Sequence, residues 1–261
     1  MEKISRKSFV KGALGLGAVG ILAGCASSAS STAASASSTA APAEKKEFTF
    51  ADTVRWDAQY DVVVMGMGAA GMVAAKTAAD NGAKVVIVEK CEEGKAGGNT
   101  KVCGQLFAYA NGDKDAAKSY YTALAGGRDI EPEIIDAISE GVANMADILA
   151  DEFGFNKDEY MDWTGVNVGG TNMGAMSPEY PEMPGHEKMA LWTTHAGASD
   201  GYLYQGLKQN VTDRVDAIDV WYSSPAKSLI QDPVTKTVVG VTVERDGKEM
   251  NIRALNGVCI C

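Results

Sequence analysis

The sequence predicts an α/β fold, a parallel sheet with helices packed on it that leads into an antiparallel β-meander. Three observations carry that reading. Two short apolar runs, Val62–Met65 and Val85–Val88, flank an alanine-rich stretch, Ala69–Asn81, in strand–helix–strand order. Three glycines, Gly66, Gly68 and Gly71, occupy the first strand-to-helix junction at G-x-G-x-x-G spacing. From Ile218 onward, apolar runs are separated by the turn dipeptides Asp232-Pro233 and Asp246-Gly247.

The β-branched residues of Val62–Met65 and Val85–Val88 suit strands buried on both faces. Alanine favours the helix between them, and Gly82 stands where a helix C-terminus needs a left-handed residue. Gly66 permits the tight turn, Gly68 lets backbone approach a pyrophosphate, and Gly71 lets helix and strand pack closely. The unbonded N–H groups and positive dipole end of the helix then face the phosphates. Glu89 ends the second strand about 20 residues beyond the glycines, where a carboxylate accepts hydrogen bonds from a ribose hydroxyl pair. Strand, glycines, helix and acid together read as a dinucleotide site.

After Glu89-Lys90, a short polar loop leads into Gly97-Gly98-Asn99-Thr100. This arrangement resembles the FAD-binding flavoproteins of the fumarate reductase and succinate dehydrogenase superfamily, including exported members of the flavocytochrome c and urocanate reductase type. The resemblance implies a Rossmann-like FAD-binding domain, with FAD as cofactor. It implies that Glu89 binds the adenosine ribose and that the G-G-N-T loop runs along the pyrophosphate and ribityl chain. Gly104 would pass beside the isoalloxazine, with Gln105 where relatives often have a second glycine. Ala226 would meet the adenine through its backbone. The cofactor-binding set expected is thus Gly66, Gly68, Ala69, Ala70, Gly71, Glu89, Lys90, Gly97, Gly98, Asn99, Thr100, Gly104 and Ala226.

Residues 1–25 read as a signal peptide. Lys3, Arg6, Lys7 and Lys11 give a positive start, and the apolar stretch Gly12–Gly24 is too short to span a bilayer. Leu22-Ala23-Gly24-Cys25 looks like a lipobox, with Cys25 the lipidated residue. Ser5–Lys11 resembles a twin-arginine signal in which Lys7 replaces the second arginine, so export by either general route stays open. An uncleaved membrane anchor is the alternative, and both readings tether the protein outside the cytoplasm. Residues 26–47, nearly all Ser, Ala and Thr until a short charged run, read as a disordered spacer before a domain over 48–261.

The net charge of −10 and pI near 4.8 argue against a nucleic-acid partner. Five cysteines form no C-x-x-C, so neither a metal framework nor covalent haem is expected, and with only His186 and His195 no metal site is expected. Cys91, Cys103, Cys259 and Cys261 read as small buried hydrophobes, with a Cys91–Cys103 disulfide the less favoured alternative.

In the middle of the chain, Asp115–Leu124 and Pro132–Phe153 read as helices. Ile134, Ile135, Ile138, Val142, Met145, Ile148 and Leu149 form a core-facing stripe on the second, while Glu133, Asp136, Glu140, Asp147 and Asp151 form its solvated face. Tyr160–Ser199 lacks periodicity, and Met173, Met176, Met183 and Met189 read there as fillers of irregular gaps. The resemblance implies that this insertion lies near the flavin and the substrate cavity. His195, just before a helix over Tyr202–Asn210, reads as structural rather than catalytic.

The function implied by the resemblance is that of an exported FAD-dependent oxidoreductase. It would reduce a C=C bond conjugated to a carboxylate or carbonyl, by hydride transfer from flavin N5 with an arginine as proton donor. Its partners would be a small-molecule substrate, an external cytochrome or flavoprotein as electron donor, and the membrane through the lipid anchor. Two alternatives stand beside it: a flavin dehydrogenase or oxidase such as a ketosteroid dehydrogenase, and a non-catalytic FAD-binding fragment. Relatives carry their clamp domain and substrate-site residues beyond the strand that begins at Gly257. The chain is therefore expected to be the N-terminal portion of a longer flavoprotein, and no catalytic residue is assigned.

Overall fold

The computed structural model describes residues 48–164, 167–168, 171–172, 180–196 and 200–261. The proposed signal peptide, Cys25, the spacer, Met173 and Met176 lie outside the described residues. Strand β1 (Ala58–Met65) leads through the glycine turn into helix α1 (Ala69–Asp80) and back to β2 (Val85–Val88). Then come α2 (Gly98–Val102), β3 (Leu106–Tyr109), α3 (Lys114–Leu124), α4 (Pro132–Ala143) and α5 (Met145–Asp151). Short strands β4 (Met161–Asp162), β5 (Asn167–Val168), β6 (Thr171–Asn172) and β7 (Ala190–Thr193) precede α6 (Tyr202–Thr212). The chain finishes with β8 (Ile218–Trp221), β9 (Ala226–Gln231), β10 (Val238–Arg245) and β11 (Lys248–Ile260).

The main sheet has six strands in the order β8-β2-β1-β11-β10-β9. Four of them, β8, β2, β1 and the end of β11, run parallel, and β10 and β9 follow antiparallel. Alternation along β1 sorts its side chains between two cores. Val62 and Val64 pack with Met72, Ala75, Leu203, Leu207 and Val211 beneath α1 and α6. Val63 faces the other way, against Val86, Val88, Val241, Val243 and Ile252. The meander therefore curls over the second face of the sheet, and the Arg245 guanidinium lies 4.5 Å from the centre of the Trp221 ring. Val63, Val64, Val85, Val86 and Ile87 are fully enclosed. Each contributes about 1.5–3 kcal/mol of burial. That rigid centre fixes the direction in which β1 and β2 end, which is where the glycines and Glu89 lie.

Three expectations are corrected. The helix expected over Pro132–Phe153 is two helices, broken at Asn144 (φ −108°, ψ 10°), whose side-chain amide donates to the Glu140 carbonyl. Its stripe is only partly inward: Ile135, Val142 and Leu149 are buried, but Ile134 and Ile138 are 51% and 42% exposed. Here Ser139, whose hydroxyl donates to the Ile135 carbonyl, takes the buried position. The acids do face solvent, with Asp136, Glu140 and Asp147 paired to Lys118, Lys114 and Lys157. Finally, the four described cysteines are neither buried nor bridged: Cys91 and Cys259 are half-buried, Cys103 and Cys261 exposed, and all four are free.

A second sheet, β3-β7-β4, joins the segment after α2 to the insertion before α6, with Leu106 opposite Thr193. Among the described residues, no helix is long and apolar enough to cross a membrane.

Candidate cofactor-binding site

The site forms where β1 and β2 end. Gly66 takes φ +102°, open to glycine but costly for other residues. A Cβ on Gly71 would lie 2.0 Å from the Gly66 carbonyl oxygen, so the helix can approach the turn this closely only without one. Gly68 is the N-cap of α1 and brings no side chain to cover the helix end. The first-turn amides of α1 are thus presented outward, apart from that of Ala69, which donates to Thr100 Oγ1 at 3.0 Å. That bond ties the Gly97–Thr100 segment to the head of α1.

Glu89 is buried at the tip of β2, and its carboxylate is turned back towards the glycine turn. One oxygen accepts from the Met67 amide at 2.8 Å and the other from the Cys91 amide at 2.8 Å. Each oxygen keeps a further lone pair for a ligand hydroxyl. A cavity of about 580 Å³ opens between these parts. Of the thirteen predicted positions, all but Gly71, Gly97 and Gly104 line it. Gly71 works underneath, in the helix–strand contact. Gly97, at φ +119°, rests on Tyr204, whose ring would lie 2.4 Å from an added Cβ. Gly104 lies behind the wall, next to the Leu106 side chain.

The lining also includes Met65, Met67, Val88, Cys91, Lys95, Pro225 and Cys261, which the sequence reading did not single out. Lys95 was hidden in a polar loop, and Cys261 reaches the site only through parallel pairing, its amide donating to the Met65 carbonyl at 3.0 Å. With Lys90, Lys95 (which also meets exposed Glu92 at 3.0 Å) and the helix dipole against the buried acid Glu89, the lining suits an anion such as a diphosphate. Two tyrosines sit close by: burial pushes the Tyr222 phenol up to about 12, and burial also raises Tyr204. Both are neutral hydroxyls at any physiological pH.

A second, apolar cavity of about 440 Å³ adjoins the first through Ala69, Ala70, Asn99 and Thr100 and continues to Cys103, Leu106, Met145, Leu149, Leu203 and Leu207. His195 lines neither cavity. Its Nε2 meets Asp200 Oδ2 at 2.7 Å and its ring stacks on Tyr202 at 4.1 Å. The Tyr202 amide, and then His195, hold the Asp200 carboxyl below its usual range. Among the described residues, no group of three or more His, Cys, Asp or Glu is placed to hold a metal.

Comparison with known proteins decides the family. The profile of the FAD-binding-domain family matches residues 61–260, from the first strand to the last. The chain belongs to this family. Its cofactor is FAD, and the glycine turn, the uncapped α1 head, Glu89 and the cavity fit that molecule's diphosphate and ribose. Among curated relatives, a NADH:fumarate oxidoreductase of Klebsiella pneumoniae (strain 342) is 29% identical over 201 residues, covering 73% of this chain and 19% of that protein. A digoxin reductase of Eggerthella lenta is 41% identical over 105 residues, covering 39% of this chain and 18% of that protein. The chain thus spans about a fifth of the length of these relatives. The structure of a 3-ketosteroid Δ1-dehydrogenase from Sterolibacterium denitrificans superimposes with a TM-score of 0.61 at 19% identity, over 77% of this chain and 47% of that one. At that identity the likeness bears on the fold.

Proposed function

We propose that the protein serves as an exported, lipid-anchored FAD-dependent reductase acting on a C=C bond conjugated to a carboxylate or carbonyl. The observation that carries the flavin part is the convergence of Glu89, the uncapped head of α1 and the Gly98–Thr100 wall on one cavity. The choice of a reductase is supported by the relatives named as a fumarate oxidoreductase and a digoxin reductase. Bound flavin supplies hydride transfer, which no side chain of this chain can provide.

This chain's own residues bind and orient. The α1 amides and Lys90 and Lys95 would hold the diphosphate, and Glu89 the adenosine ribose. Gly98, Asn99 and Thr100 would line the path towards the ribityl chain, and Ala226 the adenine end. A second, apolar cavity adjoins this path beyond Thr100. The partners proposed are a small enoate or enone and an external electron donor, a cytochrome or flavoprotein. Anchoring would run through Cys25. The residue that protonates the substrate is unassigned.

A dehydrogenation running the opposite way is the second reading, favoured by a 40% identical stretch of 86 residues shared with a relative named 3-oxosteroid 1-dehydrogenase of Mycobacterium tuberculosis. Purified protein separates the two. Oxidation of reduced viologen by unsaturated acids or enones supports the reductase, and dye reduction by a saturated ketosteroid supports the reverse. Flavin binding without either turnover leaves a binding module, and protein that takes up no flavin sinks every version. Membrane fractionation of the Cys25→Ser variant tests the anchor: wild-type partitioning would remove it.

A further inference from the structure

Gln105 is a polar residue in a conformation that favours glycine. Its backbone lies at φ +61°, and its side chain is only 1% exposed. Strain and amide burial at one position persist only where the surroundings fix them. Here every polar atom of the side chain is used. Nε2 donates to the Thr100 carbonyl at 2.7 Å and the Cys103 carbonyl at 3.1 Å, and Oε1 accepts from the Tyr204 amide at 3.2 Å.

Those partners lie on two elements that meet behind the cofactor cavity. Thr100 lies in the middle of α2 and Cys103 caps its C-terminus, and Thr100 also accepts the Ala69 amide at the head of α1. Tyr204 sits in the first turn of α6, and its ring supports Gly97 from behind. One buried amide therefore links the two supports of the Gly97–Thr100 wall, yet it does not itself line the cavity.

We propose that Gln105 is a positioning residue for FAD: through Thr100 and Tyr204 it holds the Gly97–Thr100 wall against the α1 head before the cofactor arrives. A wall set in advance spares the binding event the cost of ordering it. The proposal rests on FAD occupying the cavity.

The test compares wild type with Gln105→Gly, which relaxes φ, and Gln105→Met, which keeps the volume and removes the hydrogen bonds. Far-UV circular dichroism confirms that each apoprotein is folded. Titration with FAD then gives Kd, and visible circular dichroism reports the setting of the bound flavin. Both variants are expected to bind about tenfold or more weakly, the loss of one to two net hydrogen bonds, with an altered visible spectrum. A folded variant with wild-type Kd and spectrum would reduce Gln105 to a stabilising residue and overturn the proposal. Hydrogen exchange on wild-type apoprotein is independent of the variants: the Tyr204 amide, already bonded to Gln105 Oε1, should be protected before FAD is added, and exchange there as fast as at open loop amides also overturns it. Wild type that takes no FAD removes the cofactor reading itself, a result distinct from unaffected variants of a flavin-binding protein.

Discussion

Replacing Glu89 by glutamine is the sharpest perturbation of the site, because shape is conserved and only charge and one acceptor change. In the structure both carboxylate oxygens accept backbone amides at 2.8 Å, one from Met67 and one from Cys91. Glutamine keeps one acceptor and sets an NH₂ group against the other N–H. Met67 is wholly buried while Cys91 is partly exposed, so the surviving acceptor should stay on Met67 and water should serve Cys91. The protein then loses one charge-assisted bond and weakens the other, about 2–3 kcal/mol of stability. For a domain of this size that lowers Tm by roughly 5–10 °C. The same change weakens acceptance of ribose hydroxyls, so FAD should bind about 10- to 100-fold more weakly, at 1.4 kcal/mol per tenfold. Differential scanning of the apoprotein and flavin titration read the two effects separately. A Glu89→Gln protein with wild-type Kd for FAD would refute the assignment of Glu89 to the sugar, and an unchanged apoprotein Tm would refute the energetics of the turn.

Other outcomes follow from the same geometry. Gly71→Ala puts a Cβ 2.0 Å from the Gly66 carbonyl, an overlap that backbone must absorb, so stability should fall by about 1–3 kcal/mol and FAD uptake with it; normal melting and flavin content would contradict the close packing. Cys91 and Cys261 line the cavity and half-buried Cys259 lines neither cavity, so FAD should slow maleimide labelling of the first two and leave that of Cys259 unchanged, as read by peptide mass spectrometry. The Asp80 carboxyl is held below its usual range chiefly by Arg214 and also by Lys76. Its folded pKa is depressed, so its contribution is complete above the ordinary carboxylate value near 4 and is lost as pH falls through the lower folded value. Urea midpoints from pH 5 downward should therefore fall less steeply in Asp80→Asn than in wild type, and parallel slopes would discount the pair.

The crossover was legible because its constraints are local and chemical. Positions 66 and 71 admit only glycine for reasons of backbone geometry, and Glu89 must end a strand that its own valines announce. The break at Asn144 was not legible, since the apolar spacing runs on through it and only the asparagine's side-chain bond to the preceding turn marks the kink. Nor was the sheet β3-β7-β4, whose strands of two to four residues pair across long intervals of chain and carry no period of their own. Cysteine burial was misjudged at Cys91 and Cys261 because both line the cavity and not the enclosed centre of the sheet.

The misjudged residues share a location with the correct ones, and that has a physical basis. Strand interiors are dictated by burial, which sequence pattern records well, whereas strand ends in an open parallel sheet are where ligands bind and where the burial rule relaxes. Cys261, Cys91 and Gln105 all lie at or behind such ends. Each breaks a local expectation: two thiols facing a cavity and a glutamine where the backbone favours glycine. Gln105 alone shows a compensating set of bonds. For that reason the strain at position 105 is read as part of how the Gly97–Thr100 wall is held, while the cysteines are treated as reporters of cofactor occupancy.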